Sequence, residues 1–119
     1  ILKAYMTAAL TDIFGDVPYS EALNGKEGNT TPKYDSQESI YTSPNGILDN
    51  LDQAIAAIQN YSGVAPLEGD IFYGGDLDKW IRFANSLKIK YLVRISSKVN
   101  ISNELQSIYF EGNYIQTNR

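Results

Sequence analysis

Asp12, Asp16 and Glu21 lie close together in the sequence, around the expected end of a first helix. A pair of carboxyls, one held as an acid and one ionised, is the apparatus of glycoside hydrolysis. That chemistry needs two carboxyls converging in space with pKa values pushed apart, and closeness along a chain does not supply it. A solvated loop with capping carboxylates accounts for the same residues. Asp49 and Asp52 lie one turn apart, and Asp76 and Asp78 sit together near a helix start. Calcium needs several oxygens converging from one loop, and no DxDxDG-type loop is present. Gly74-Gly75 precedes a helix, as glycines do where backbone amides cradle phosphate. The GxxxxGK[ST] spacing is missing, however, and Asp76 would repel a phosphate. The chain has no histidine and no cysteine. Serine triads of the usual kind, HExxH zinc sites, thiol nucleophiles, cysteine zinc sites and disulfides are therefore absent. The residues predict no catalytic group, no metal site, no cofactor and no enzyme.

Aromatic side chains are the other functional resource. They make up 12% of the chain, and nine of them are tyrosine. Tyr19, Tyr34, Tyr61, Phe72 and Tyr73 fall in expected loops. A tyrosine offers a flat apolar face with a polar edge. Sugar rings, with apolar C–H faces and hydroxyl rims, suit such a surface. The same rings also serve to seal a helical core from its ends. Trp80 falls on the apolar face of a helix and is assigned to the core.

The elements that must position these residues are helical. Leu2, Tyr5, Met6, Ala9, Leu10 and Ile13 recur at helical spacing, and Gly15 is the expected stop. Asp16 to Tyr34 is rich in turn formers, among them Pro18, Asn24-Gly25, Gly28, Asn29 and Pro32, and reads as a long loop. Asp35-Ser36-Gln37-Glu38 reads as a capping box, with Asp35 as N-cap and Glu38 reaching back, opening a short helix to about Thr42. Pro44 ends it. Ile47, Leu48, Leu51, Ala54, Ile55 and Ile58 then form the cleanest apolar stripe in the chain. A second irregular stretch, Tyr61 to Gly75, contains Gly63, Pro66, Gly69 and Gly74-Gly75. Asp76 is the expected cap of the next helix, with Asp78 in its first turn. Its apolar face is Trp80, Ile81, Phe83, Ala84, Leu87, Tyr91, Leu92 and Ile95, with Lys79, Arg82, Lys88, Lys90 and Arg94 largely on the other side. Ile101, Leu105, Ile108 and Tyr109 predict a last helix capped near Ser102 and ended by Gly112. The only strand-like piece is Asp70-Ile71-Phe72-Tyr73. The fold class is all-α, with consecutive antiparallel helix pairs and long connecting loops.

The chain has 119 residues, 43% hydrophobic and 20% charged, enough for a real core. Its formal charge of -4 and scattered basic residues argue against nucleic acid, because phosphate contacts need clustered Lys and Arg. No apolar run approaches the ~20 residues of a membrane-spanning helix. The first residue is not Met and the first helix face begins at once, so the chain is expected to be a piece of a longer protein.

Three segments together carry a family resemblance. Leu10-Thr11-Asp12-Ile13-Phe14-Gly15-Asp16-Val17-Pro18-Tyr19-Ser20-Glu21-Ala22-Leu23 resembles the helix followed by "DxPYSEA" of SusD-like (SusD/RagB) proteins. Pro32-Lys33-Tyr34-Asp35-Ser36-Gln37-Glu38-Ser39-Ile40-Tyr41, followed by Leu48 to Ile58, is similar to that family's next helix. Gly69-Asp70-Ile71-Phe72-Tyr73-Gly74-Gly75-Asp76, running through Trp80 to Lys88, resembles its third landmark. The resemblance covers most of residues 10 to 98. Ser43-Pro44-Asn45-Gly46 departs from it, where many relatives continue the helix, and the tail from Val99 fits loosely.

The resemblance implies a helical scaffold of tetratricopeptide-like pairs, with residues 1–119 forming part of a single SusD-like domain. It implies non-catalytic binding of oligosaccharides or other nutrients at the cell surface. The partner implied is a TonB-dependent, SusC-like transporter, and the membrane link is a lipid anchor on the full-length outer-membrane protein. The family's ligand contacts vary with the nutrient and lie largely in loops. Tyr34, Tyr61, Phe72 and Tyr73 are the candidate ligand-binding residues, acting by ring stacking and hydrogen bonding. The alternative function is a helical module that binds a peptide or partner protein. A hydrolase using Asp12, Asp16 or Glu21 is the third possibility.

Overall fold

The computed structural model describes residues 1–63 and 68–117, so the turn expected at Pro66 lies outside the described residues. Among these residues the order is α1 (Leu2–Phe14), β1 (Val17–Pro18), a 3-10 turn (Asn24–Glu27), β2 (Tyr34–Asp35), α2 (Gln37–Thr42), α3 (Ile47–Gln59), α4 (Leu77–Ile95) and α5 (Ser102–Glu111). The architecture is all-α, as the spacing predicts. It comprises two compact units, Ile1–Asn50 and Leu51–Arg119.

In the first unit, α1 ends where expected. Gly15 adopts φ 75°, a left-handed conformation open to glycine without a Cβ penalty. α1 packs on α2, and its buried residues are Ala4, Ala8 and Thr11. The bulky stripe of Leu2, Tyr5, Met6, Leu10 and Ile13 is solvent-exposed, with Met6 at 64% and Ile13 at 74%. Apolar spacing shows that α1 has a bulky face but not which neighbour covers it. Small residues allow the closer backbone approach, and the small-residue side is the buried one.

The loop after α1 contains a two-residue antiparallel ladder, Val17 opposite Asp35 and Pro18 opposite Tyr34. This corrects the expectation of no sheet there. A ladder so short has no alternation to read, and it is held by side chains. Asp35 accepts hydrogen bonds from Tyr19 N (3.1 Å), Ser20 N (2.6 Å) and Ser20 Oγ (3.0 Å). Those donors hold its carboxyl below the usual range, led by the Ser20 amide. With Asp35 so used, the cap of α2 is Ser36, whose Oγ accepts from Ser39 N at 3.2 Å. Asp16 Oδ1 adds a second acceptor for Gln37 N at 2.9 Å. Gln37 Nε2 donates to Thr11 O (2.8 Å) and Tyr41 Oη to Asp12 Oδ1 (2.8 Å), tying α2 to α1.

Between α2 and α3 the chain turns at Pro44, as expected. Asn45 takes φ 61°, and Tyr19 Oη donates to its carbonyl at 2.5 Å. Asn50 Nδ2 donates to Gly46 O at 2.8 Å. Ile40, Tyr41 and Ile47 are buried here.

In the second unit, α4 packs on α5 over a core of Leu51, Ile81, Ala84, Leu87, Tyr91, Leu92 and Ile108. Asp76 caps α4 as expected, accepting from Lys79 N at 3.1 Å. Lys88 is a correction. It lies four residues after Ala84 and four before Leu92, on the buried face, and its side chain is only 7% exposed. Its Nζ pairs with Asp52 Oδ1 (2.5 Å) on α3 and Glu104 Oε1 (3.0 Å) on α5. Asn100 Oδ1 accepts from Ser102 N (3.1 Å) at the start of α5, and Gly112, at φ 65°, ends it. The chain beyond α5 returns to α4: Asn85 Nδ2 donates to Asn113 O (2.7 Å) and Ile115 N to Ser86 Oγ (2.9 Å).

Candidate functional site

Asp70 organises the loop before α4. Its carboxylate accepts from Phe72 N (2.9 Å), Tyr73 N (3.2 Å), Gly75 N (2.9 Å) and Trp80 Nε1 (2.7 Å). The segment is therefore a carboxylate-centred turn, which corrects the strand-like reading of Asp70–Tyr73. Partial desolvation would raise the Asp70 carboxyl, but the combined donors from Gly75, Trp80, Phe72 and Tyr73 outweigh it and lower its pKa to about 2.

Around this turn the rings meet edge to face. Trp80 lies 5.9 Å from Phe72, 5.2 Å from Tyr73 and 6.0 Å from Phe83, and Tyr73 lies 6.2 Å from Phe83. Such contacts fix ring orientation beyond simple burial. Trp80 is buried in the core, as expected. Beside the cluster is a half-open hollow of about 820 Å³, lined by Tyr73, Lys79, Arg82, Asn113, Tyr114 and Gln116, with Glu111 at its wall. Lys79 pairs with Asp76 at 3.4 Å. Arg82 lines the hollow, and its guanidinium has no hydrogen bond or ion pair to another described residue. Tyr114 is stacked on Tyr109, centroids 6.3 Å apart. Rings, amides and a guanidinium held by no other described residue are what a hollow needs to hold a polyhydroxylated ligand. A second hollow of about 580 Å³ is more apolar, lined by Ile89, Val93, Leu105, Tyr109 and Ile115 with Ser86, Ser102 and Gln106.

Of the four candidates from the sequence, the structure brings together Phe72 and Tyr73, and Tyr73 lines the larger hollow. Phe72 is exposed at the turn. Tyr61 is half-exposed just after α3, and Tyr34 stands on β2 in the first unit, 72% exposed. Arg82, Asn113, Tyr114 and Gln116 were missed. Arg82 read as part of a solvated helix face. The tail residues carry no periodicity, and only their return to Asn85 and Ser86 places them.

The carboxylates considered for hydrolysis are occupied in holding the loop. Asp12 accepts from Tyr41, Asp16 caps α2, and Glu21 Oε2 accepts from Asn29 Nδ2 and Lys33 N, each at 3.2 Å. Asp49 Oδ2 accepts from Asn45 N (2.6 Å), and Asp52 is bound to Lys88. Among the described residues no group of three or more carboxylates is placed to hold a metal ion, and no helix is long and apolar enough to cross a membrane.

No curated protein sequence matches the chain. Among solved structures, a SusD homolog from Bacteroides fragilis superposes with a TM-score of 0.80 at 28% identity, covering 98% of this chain and 24% of its own. The chain thus spans about a quarter of the length of the structure it matches. A family profile described as "Starch-binding associating with outer membrane" matches residues 1–119. On that match over its entire length, agreeing with the fold, the chain belongs to the SusD-like family.

Proposed function

We propose that the chain is part of a surface nutrient-binding protein that captures oligosaccharides without breaking bonds and passes them to a TonB-dependent, SusC-like transporter. Residues 1–119 form one portion of a single SusD-like helical domain, held at the outer membrane by a lipid anchor. The observation that carries this reading is the family match, whose description names starch binding and the outer membrane.

The hollow beside Tyr73 is where these residues would contribute to binding. The tyrosine faces of Tyr73 and Tyr114 present flat apolar surface to the C–H side of a sugar ring. The amides of Asn113 and Gln116 and the Arg82 guanidinium supply donors and acceptors for its hydroxyls. Phe72 extends the aromatic surface at the rim. Tyr34 on β2 and Tyr61 after α3 stay as further contact candidates. Asp12, Asp16 and Glu21, the carboxylates considered for hydrolysis, are engaged in holding the loop, which agrees with binding in place of hydrolysis. The test is a glycan-array screen on the natural-length protein, followed by calorimetry on each hit and chromatography of the ligand afterwards. Saturable binding of one glycan class with the ligand recovered intact supports the reading. Released shorter sugars would replace it with the hydrolase, and silence towards all glycans would abandon sugar capture.

A second reading, a module that binds a peptide or partner protein, is favoured by the smaller hollow. Its Ile89, Val93, Leu105 and Ile115 lining suits an apolar side chain better than a sugar.

A further inference from the structure

The hollow beside Tyr73 differs in charge from the chain that forms it. The chain carries a formal charge of -4, and a net negative chain repels anions at long range. The hollow is lined by two cations, Lys79 and Arg82, against one anion, Glu111. Lys79 and Arg82 are three residues apart on α4. They are therefore neighbours on one helix face, with Cβ atoms about 5–6 Å apart. One small anion can reach both heads.

The two cations differ in what holds them. Lys79 pairs with Asp76 at 3.4 Å, and both side chains are largely in solvent. Such a pair is weak, so the ammonium can share a second acceptor. Arg82 is exposed on the wall of the hollow. Neither Asp78, four residues before it on α4, nor Glu111 forms an ion pair with it. Glu111 accepts instead from Ser107 Oγ at 3.5 Å. A guanidinium keeps its charge at any ordinary pH, and its planar fork of donors matches both oxygens of a carboxylate at once. A neutral hydroxyl supplies lone pairs but no countercharge. Tyr73 and Tyr114, both half-buried in the same lining, provide ring surface beside that charge.

We propose that this hollow selects acidic oligosaccharides. A uronic-acid carboxylate sits on Arg82 and is shared with Lys79, while the sugar ring lies against Tyr73 or Tyr114. Asn113 and Gln116 serve the hydroxyls. The proposal rests on the hollow being a sugar site and adds the charge of the sugar it takes.

The test is calorimetric titration of the natural-length protein. The probes are short fragments of polygalacturonate, alginate and hyaluronan, each paired with its methyl ester, which keeps the rings and loses the charge. At least one acid should bind about tenfold tighter than its ester, and added salt should narrow that gap. Arg82→Gln should bring acid and ester within about twofold of each other, and Arg82→Lys should keep part of the gap. Lys26→Gln removes the same charge from an exposed position in the first unit and should leave the gap in place. Esters that bind as tightly as their acids overturn the proposal, and this comparison needs no variant to fold. A gap that survives Arg82→Gln, or that Lys26→Gln removes equally, also overturns it. Neutral glycans bound with no acid preferred would end the charge selection and leave sugar capture standing. Silence towards acids, esters and neutral glycans alike would remove both.

Discussion

The indole N–H of Trp80 donates to Asp70 Oδ2 at 2.7 Å, joining the first turns of α4 to a carboxylate ten residues earlier. One bond thus gives a buried indole its polar partner and fixes a turn that presents Phe72 and Tyr73. Trp80 is the only tryptophan in the chain, so its emission reports on this turn directly.

Acid should loosen the turn as Asp70 is protonated. The folded pKa of Asp70, about 2, lies below the ordinary 3.8. Its stabilising effect is therefore complete above 3.8 and is lost as pH falls through the folded value. Titrating Trp80 emission from pH 6 to about pH 2 should show a transition, and Asp70→Asn should start from the loosened state with a flatter profile. Identical profiles for parent and variant would remove Asp70 from the role assigned to it.

Lys88 should prove more valuable for its charge than its position on a helix suggests. Lys88→Ala removes a buried ammonium shared by Asp52 and Glu104. Both carboxylates are partly exposed and recover some hydration, so the cost is expected at about 2 kcal/mol, below that of a fully buried pair. Lys88→Met keeps the apolar stem and should cost about half as much by the same reasoning. Urea denaturation midpoints of the two variants check the order. Although burial opposes it, the two carboxylate hydrogen bonds raise the Lys88 pKa above 10.5. The contribution is thus full below 10.5 and fades as pH climbs through the folded value.

The turn between α2 and α3 admits no side chain at Gly46. A Cβ there would meet the carbonyl oxygens of Ile40 and Ser43, both at 2.7 Å. Backbone atoms in a capped turn yield poorly, so Gly46→Ala is expected to cost about 1–3 kcal/mol. Gly25→Ala, with nothing within 4 Å of its Cβ position, is the control and should leave thermal unfolding nearly unchanged.

If the larger hollow binds a sugar, Tyr73→Ala and Arg82→Ala should each weaken the glycan found by the array about tenfold, near 1.4 kcal/mol. The Arg82 change should leave thermal stability intact, since its guanidinium holds no other described residue. Calorimetric titration of the two variants gives the answer. Unchanged affinity in both would move the contact to Tyr34, Tyr61 or residues elsewhere in the natural protein.

Whatever depends on near neighbours along the chain was legible in advance. The α3 stripe, the Asp76 cap, the glycine stops at Gly15 and Gly112, the break at Pro44 and the burial of Trp80 all follow from φ/ψ limits, orphan backbone groups and a 3.6-residue period. The family landmarks follow too, because those words encode caps and turns: Asp35 and Asp70 are each an acceptor for several backbone amides. What only the tertiary structure decided involves choices between chemically equal partners. Asp35 and Ser36 both suit a cap, and the demand of the Tyr19-Ser20 amides sends Asp35 to the loop. α1 has two apolar sides, and the small one is buried because alanines allow the closer approach. Lys88 lies on a buried stripe that only the carboxylates of α3 and α5 make habitable. The Tyr73 hollow needs a tail without periodicity to return beside α4, and hydrogen bonds to Asn85 and Ser86, distant in sequence, bring it there.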